Sequence, residues 1–220
     1  ELPMEELRVR AQGRATDARL LDLVLDKDLD RGNLDISVDT EGLKLVGEAR
    51  LEDQPVRLVA EMDFRAGPPA QVLEKVSASL RLDAAALAGW GLDAGAALTG
   101  TLGLEARYER RRNGQGQVQL AADLRHAALA VPALSWAKPA GTPGSAEATL
   151  RLNGNALVAA EGIRVEALEL ALRGRAGFGA GGRLERLELA ETVFGGSRLT
   201  GEARPPAQPG GPWAVTLRGP

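Results

Sequence analysis

Cysteine is absent from the sequence, histidine occurs once, and both shortages exclude classes of chemistry. A chain without cysteine forms no disulfide and has no thiolate metal site or cysteine nucleophile. A Ser-His-acid triad or a histidine metal site would have to use His126, which lies among small apolar residues with no partner nearby in the sequence. We therefore expect His126 at the surface or at a strand edge. We predict a protein that is not an enzyme and that uses no metal or cofactor.

A strong charge bias and a long apolar run are also missing. The formal net charge is only −3, so nothing in the composition predicts binding to nucleic acid. No apolar run approaches the roughly 18 to 20 residues that span a bilayer, and the N-terminal ELPMEELRVR has neither the basic start nor the apolar stretch of a targeting segment. If the protein works in or beyond a membrane, we expect this chain to be a piece of something longer.

What the sequence does contain is a period-2 alternation of apolar and polar residues. In GLKLVGEARLEDQPVRLVAEMDF, residues 42–64, apolar and charged side chains alternate on both sides of EDQP. Successive side chains of a strand point to opposite faces, so both halves are predicted to be one-sided strands of an antiparallel hairpin. EDQP is predicted to be the turn, because Pro55 has no backbone N–H to donate.

The same alternation recurs along the chain and is punctuated by turn signals. It is present in LDISV, LTGTLGLEARY, QVQLAADL, EATLRL, RLERLELA, SRLTGEA and WAVTLRG, and in IRVEALELAL, where a slip of parity near Ala167 predicts a bulge. The turns predicted between strands are Glu41-Gly42, Asn113-Gly114, Asn153-Gly154, Glu161-Gly162, Gly181-Gly182 and Gly195-Gly196. About a dozen strands at this spacing indicate a meandering antiparallel sheet.

A single short helix is expected near 83–90. DAAALAGWG begins with Asp83, a favourable N-cap, and the helix should end at Gly89 or Gly91. The preceding QVLEKVSASL fits either the face of a helix or a strand, and we favour a strand entered through GPPAQ. One helix of this length covers little of a sheet.

Three short motifs suggest chemistry, and each has a simpler interpretation. DKDLDRGNLD carries aspartates at the alternate spacing of a calcium loop, but its sixth position is Arg31 rather than glycine and its twelfth is Ser37 rather than glutamate. We predict instead a strand with a polar outer face that closes in a turn at 31–33. GRAGFGAGG, residues 174–182, resembles a phosphate loop but precedes a strand pattern rather than a helix, so a hairpin turn is predicted.

The third motif is RYERRRNG, in which four arginines follow a predicted strand. Arg107, Arg110, Arg111 and Arg112 could hold an anionic headgroup or a lipid surface. The alternative, which we favour, is a solvated strand end whose charges repel edge-to-edge pairing.

A sheet with one apolar face must cover that face with helices, with a second sheet, or by curling on itself. Aromatic residues make up only 3% of the chain, so a closed barrel or sandwich would be poorly filled by Leu, Val and Ala. We therefore predict a mainly β fold, a long antiparallel curled sheet with an open groove and one short helix. It would form a single segment, 1–220, with a possible subdivision into 1–82 and 83–220.

The apolar residues on the inward parity of the strands are predicted to line this groove. They are Leu34, Ile36, Val38, Leu43, Leu45, Leu51, Val56, Leu58, Met62, Phe64, Leu98, Leu102, Leu104, Val118, Leu120, Leu124, Leu150, Leu152, Leu168, Leu170 and Leu172. Leu, Val and Ala offer a smooth lining without the convergent polar groups that select one rigid ligand.

The order of these strands and turns resembles a known family. The segments that carry the resemblance are ISVDTEGLKLVGEARLEDQPVRL, LRLDAAALAGWGLD followed by LTGTLGLEARY, ADLRHAALAVPALSWAKPAGTPGSAEATLRL, and VFGGSRLTGEARPPAQPGGPWAVTLRG. Together they are similar to the middle of the bacterial AsmA-like proteins, a superfamily that includes TamB, and most similar to its YhdP branch. The aspartate-leucine segment leading to tryptophan and KPAG is the most specific part.

The resemblance implies a periplasmic segment of a Gram-negative protein that is anchored in the inner membrane. It implies phospholipid transport between the inner and outer membranes along a hydrophobic groove, in support of outer-membrane integrity. The expected partners are phospholipid acyl chains, with both membranes reached through other parts of a longer chain. Two rival functions stay open, a structural β module of the cell envelope with a self-filled core and, less favoured, an enzyme or a small-ligand barrel.

Overall fold

A computed structural model describes residues 8–24, 27–89, 95–132, 135–206 and 213–219. These residues form one large antiparallel sheet of 13 strands, a second sheet of 3 strands and one short α-helix. The large sheet is not closed into a barrel, since its first and last strands each have one neighbour. The predicted mainly β fold with a long antiparallel sheet is therefore confirmed.

The strands follow each other along the chain as hairpins. Their bounds are β1 (Arg10–Val24), β2 (Lys27–Asp39), β3 (Gly42–Leu51), β4 (Gln54–Asp63), β5 (Val72–Leu82), β6 (Leu98–Gly100), β7 (Leu102–Arg111), β8 (Gln115–Asp123), β9 (Ala127–Val131), β10 (Trp136–Lys138), β11 (Ser145–Asn153), β12 (Ala156–Ala167), β13 (Leu170–Phe178), β14 (Leu184–Phe194), β15 (Ser197–Arg204) and β16 (Ala214–Arg218). The large sheet has the order β1-β2-β3-β4-β5-β7-β8-β11-β12-β13-β14-β15-β16, and the small sheet has the order β10-β9-β6.

The chain divides into two compact units. The first is formed by Glu1–Arg81 and Glu105–Gln115, and the second by Leu82–Leu104 and Gly116–Pro220. The first break falls close to the subdivision suggested at 82/83, while the segment 105–115 belongs with the N-terminal strands.

The hairpin of β3 and β4 has a tighter turn than the sequence predicted. Only Glu52 and Asp53 lie between the strands, and their φ angles of 47° and 66° are those of a two-residue turn that matches the twist of the strands. Pro55 lies within β4, opposite Arg50. The prediction of a four-residue turn at EDQP was therefore wrong, because a proline is tolerated in a strand where its missing N–H is not needed.

In β2 the predicted turn at 31–33 is a bulge. The strand continues through this point, the register against β3 shifts between Asp30 and Asn33, and Arg31 has a φ of 53°. A bulge takes up an extra residue without ending the strand, so local turn chemistry alone does not separate the two outcomes.

The second unit shows the converse case near Ala167. The predicted bulge is a hairpin turn, because β12 ends at Ala167, Glu169 has a φ of 55°, and β13 begins at Leu170. At Glu161-Gly162, by contrast, the sequence predicted a turn and the structure has a bulge inside β12. Gly162 has a φ of 57°, and the register against β13 shifts at this point.

The short helix α1 (Ala84–Gly89) lies where it was expected. The N–H of Ala86 donates to Oδ1 of Asp83 at 2.8 Å, which satisfies one of the free donors of the first turn. QVLEKVSASL forms the strand β5, as favoured. LTGTLGLEARY, however, divides at Thr101 into β6 of the small sheet and β7 of the large one.

Candidate functional site

Each unit has strands with one apolar and one charged face. In the first unit, the register places Ile36, Leu45, Ala60 and Val76 directly opposite one another across β2 to β5. Directly paired residues of antiparallel strands point to the same face. We call the face that carries this row the apolar face, and we use the same name for the corresponding face of the second unit.

The apolar face of the first unit is buried in its middle and exposed at one end. Leu34 and Leu58 are 1% and 3% exposed, whereas Met62 is 37% exposed and Phe64, one residue beyond β4, is 52% exposed. The middle of this face is therefore filled, and accessible apolar surface begins where β4 ends.

The apolar face of the second unit is more open. Across β12 to β15 the register aligns Val165, Leu172, Thr192 and Leu199, all of them half-buried. In a parallel row, Leu187 is half-buried, while Ala160, Ala176 and Ala203 are buried. The accessible part of this face is therefore the row of Val165, Leu172 and Leu199, with Leu187 beside it.

The 21 predicted groove residues fall into three groups on the described structure. Eight are buried: Leu34, Leu45, Leu51, Val56, Leu58, Leu98, Leu102 and Leu124. Ten are half-buried: Ile36, Val38, Leu43, Leu104, Val118, Leu120, Leu150, Leu152, Leu170 and Leu172. The three exposed residues are Met62, Phe64 and Leu168.

Two of these residues have positions that the sequence did not predict. Leu168 lies in the turn between β12 and β13 rather than in a strand, and its carbonyl accepts a hydrogen bond of 2.6 Å from Nε1 of Trp136. Leu98 belongs to β6 of the small sheet. The tryptophan therefore ties the small sheet to the hairpin of β12 and β13 within the second unit.

The opposite face of each unit, which we call the charged face, carries cross-strand ion pairs. In the first unit Arg57 lies 2.8 Å from Glu48, and Lys44 lies 3.0 Å from Glu61. In the second unit, comparable pairs are Arg151–Glu161 at 2.8 Å and Arg186–Glu202 at 2.7 Å. These exposed pairs contribute little stability, about 0 to 1 kcal/mol each, but their charged side chains keep this face hydrated.

A shallow cavity of about 460 Å³ opens on the charged face of the first unit. Val46, Val59, Ser77 and Ser79 line it together with charged residues of β3, β4 and β7. Its lining mixes small polar, apolar and charged groups of both signs.

The predicted arginine cluster is largely bonded within the first unit. Arg110 Nε donates to Oε2 of Glu74 at 2.9 Å, and Nη2 of Arg110 donates to Oε1 of the same carboxylate. Arg112 donates instead to neutral oxygens, at 2.6 Å to the carbonyl of Arg65 and at 3.1 Å to Oε1 of Gln71. Just beyond β7, Arg112 is therefore not paired with a carboxylate among the described residues.

The loop after β4 is held by a network around Asp63. Arg65 donates two hydrogen bonds to its carboxylate, at 2.8 and 2.9 Å, and Gln71 donates a third at 3.0 Å. The hydrogen bonds from Arg65, followed by that from Gln71, hold the pKa of Asp63 well below its usual range. The network fixes the position from which the loop contacts Arg112.

Lys138 is a buried cation that sequence reasoning missed. Its side chain is fully buried, and Nζ donates to the carbonyls of Leu124 and Ala127, both at 2.7 Å, and of Pro139 at 3.3 Å. Lysine is almost never fully buried without partners, and here two of the partners are carbonyls at Leu124 and Ala127, 14 and 11 residues away in the sequence. The proline and glycine that follow it in KPAG are the only local signal of such a site.

The other candidate motifs have structural roles. His126 is exposed in the turn between β8 and β9. The hairpin turn predicted for residues 174–182 is confined to 179–182, because residues 174–178 still belong to β13. In the aspartate motif, Asp28 and Asp30 face Arg19 at 2.6 and 3.2 Å, while Asp26 lies outside the described residues.

Within the part of the chain that the structure describes, no group of three or more His, Cys, Asp or Glu side chains is placed to hold a metal ion. The described helix is also too short to cross a membrane. In comparisons with known proteins, no family model, curated protein or solved structure matches the chain.

Proposed function

We propose that this chain is a lipid-binding segment of a conduit in which acyl chains lie along the apolar face. The observation that carries the proposal is the row of half-buried Leu172, Leu199 and their neighbours on the second unit, backed by a face of exposed ion pairs. Apolar side chains in such rows form a smooth surface that an alkyl chain can contact at many points. A site that selects one specific ligand would instead make fewer contacts, and more of them would be polar.

The energetics are suited to a passive conduit. Shielding an acyl chain of about 15 methylenes from water is worth roughly 12 kcal/mol, at about 0.8 kcal/mol per methylene. A lining of Leu, Val and Ala changes little from one row to the next, so a chain can slide without crossing a large barrier. The mechanism requires no covalent step.

The wider setting rests on the resemblance of the sequence to AsmA-like proteins. On that basis the cargo is phospholipid, the compartment is the periplasm of a Gram-negative bacterium, and transport runs between the inner and outer membranes. The membranes would be reached through other parts of a longer chain.

A structural β module of the cell envelope is the second candidate function. It is favoured by the first unit, where Leu34, Leu51, Val56 and Leu58 on the apolar face are at most 5% exposed. A face filled by its own side chains leaves no room for an acyl chain there. The two candidates differ in whether the accessible apolar surface of each unit holds lipid.

Photocrosslinking tests the conduit directly. A benzophenone amino acid in place of Leu172 or Leu189, on the apolar face, should crosslink to phospholipid in cells. Matched controls are Arg173 and Arg175, which alternate with these positions on the charged face of the same hairpin. Equal labelling from both faces would contradict the proposal.

A further inference from the structure

One ion pair lies on the apolar face of the first unit rather than on the charged face. Glu74 is directly opposite Met62 in the register of β4 and β5, so the two side chains share a face. Arg110 reaches this carboxylate with two hydrogen bonds from the neighbouring strand β7. The ion pairs described above, such as Arg57–Glu48, point the opposite way.

This pair is placed where the apolar face becomes accessible. Met62, near the end of β4, is 37% exposed, and Phe64, one residue beyond the strand, is 52% exposed. The side chains of Arg110 and Glu74 are themselves 39% and 23% exposed, so each keeps hydrogen-bonding capacity toward solvent. A ligand lying on Met62 would therefore bring its polar end against both charges.

Tyr108 adds a hydroxyl to the same site. It lies two residues before Arg110 in β7, hence on the same face of the strand. Burial, reinforced by the Glu74 carboxylate, raises the pKa of Tyr108 above its usual value. The hydroxyl therefore remains a hydrogen-bond donor across the physiological range.

A partly exposed ion pair on an apolar face adds little stability, because desolvation of the charges offsets most of their attraction. The same two groups are complementary to a ligand that carries a phosphate beside an ammonium group. A guanidinium matches phosphate oxygens with paired hydrogen bonds, and a carboxylate accepts from an ammonium. Arg112, two residues beyond Arg110 and without a carboxylate partner in the contacts described above, adds a second positive charge just beyond β7.

We propose that Glu74 and Arg110 form a binding site for the headgroup of a zwitterionic phospholipid, with its phosphate on Arg110 and its ammonium on Glu74. The inference rests on the proposed lipid-binding function and adds the class of lipid. On binding, the ion pair between Glu74 and Arg110 would be replaced by two ion pairs with the headgroup, one at each residue. The acyl chains would lie toward Met62 and Phe64.

The test compares three lipids of equal acyl length that carry a fluorophore on the chain: phosphatidylethanolamine, phosphatidylglycerol and diacylglycerol. The whole chain should bind phosphatidylethanolamine about tenfold more tightly than diacylglycerol, as expected for one charge-assisted contact. Arg110→Gln should abolish this preference. The unaltered chain should also bind phosphatidylethanolamine more tightly than phosphatidylglycerol, which has no ammonium group, and Glu74→Gln should abolish this second preference. The matched controls Arg57→Gln and Glu48→Gln remove one positive and one negative charge from the opposite face. Both variants should retain the preference over diacylglycerol and the preference over phosphatidylglycerol.

The outcomes separate this inference from the conduit itself. Equal binding of all three lipids, unchanged by Arg110→Gln and Glu74→Gln, would overturn the headgroup site and leave the conduit standing. No binding of any lipid would overturn both. Binding of soluble glycerophosphoethanolamine as tightly as the lipid would reassign the site to a soluble compound. Should Arg110→Gln not fold, Arg110→Lys keeps the charge without the paired geometry and should lose most of the preference for phosphate.

Discussion

At the scale of single residues, exposure separates side chains that hold the fold from side chains that can meet a ligand. Leu45, Leu58 and Leu172 all lie on the apolar face. Leu45 and Leu58 are only 8% and 3% exposed, whereas Leu172 is half-buried. A charge introduced at Leu58 would be buried without a partner, so this variant would test the stability of the fold rather than contact with lipid. Leu172 and Leu189 are therefore the informative positions for lipid contact.

Lys138 carries a prediction about stability. Its ammonium group is the shared donor for carbonyls of Leu124, Ala127 and Pro139, and removal leaves buried acceptors short of a donor. We expect Lys138→Met to lower the free energy of unfolding by about 3 kcal/mol, measured by urea denaturation. Lys44→Met, at a side chain 56% exposed, is the matched control and should change it by about 0.5 kcal/mol or less. Equal effects at the two positions would contradict a structural role for Lys138.

At the scale of elements, the strands of the second unit are joined by close backbone contacts that glycine permits. A Cβ on Gly201 would overlap the carbonyl oxygen of Thr216 in the neighbouring strand β16. Among the described strands, β16 is the last of the sheet and pairs only with β15, and its Val215 and Leu217 are about half exposed. Its attachment therefore depends on the pairing with β15.

We expect Gly201→Ala to loosen β16 selectively. Hydrogen exchange of the β16 amides should become at least tenfold faster, because the added methyl group must push the two strands apart. Gly177→Ala in β13 is the matched control, since a Cβ there meets no heavy atom within 4 Å. Unchanged exchange in β16, or equal acceleration by both variants, would show that the close contact at Gly201 is not what limits the pairing.

At the scale of the whole molecule, the two candidate functions predict different contents of the purified protein. Native mass spectrometry of detergent-free protein should reveal one or more phospholipids retained by the 220-residue chain if it is a conduit segment. Replacing Leu172 and Leu189 with Asp should release this lipid without unfolding the protein, because both sites are half-buried. Protein that carries no lipid would favour the structural module.

Much of the architecture followed from local patterns. Strict alternation predicted the strands β3, β4 and β11, and the cap at Asp83 predicted the helix, since both depend on neighbours in sequence. At 31–33 and at Glu161-Gly162 a turn was predicted and the structure has a bulge, whereas near Ala167 a bulge was predicted and the structure has a turn. Both features use positive φ and a break in parity, so only pairing with the next strand distinguishes them.

What the sequence by itself determined was which side of each strand is apolar, because the two-residue period assigns every side chain to one of two faces. It did not determine how well each face is covered, and only the tertiary structure buried Leu58 while leaving Leu172 accessible. The tertiary structure also brought Glu74 to Arg110, 36 residues along the chain, and enclosed Lys138 among carbonyls. Burial and charge pairing across such separations depend on which strands become neighbours, and a local pattern does not encode that choice.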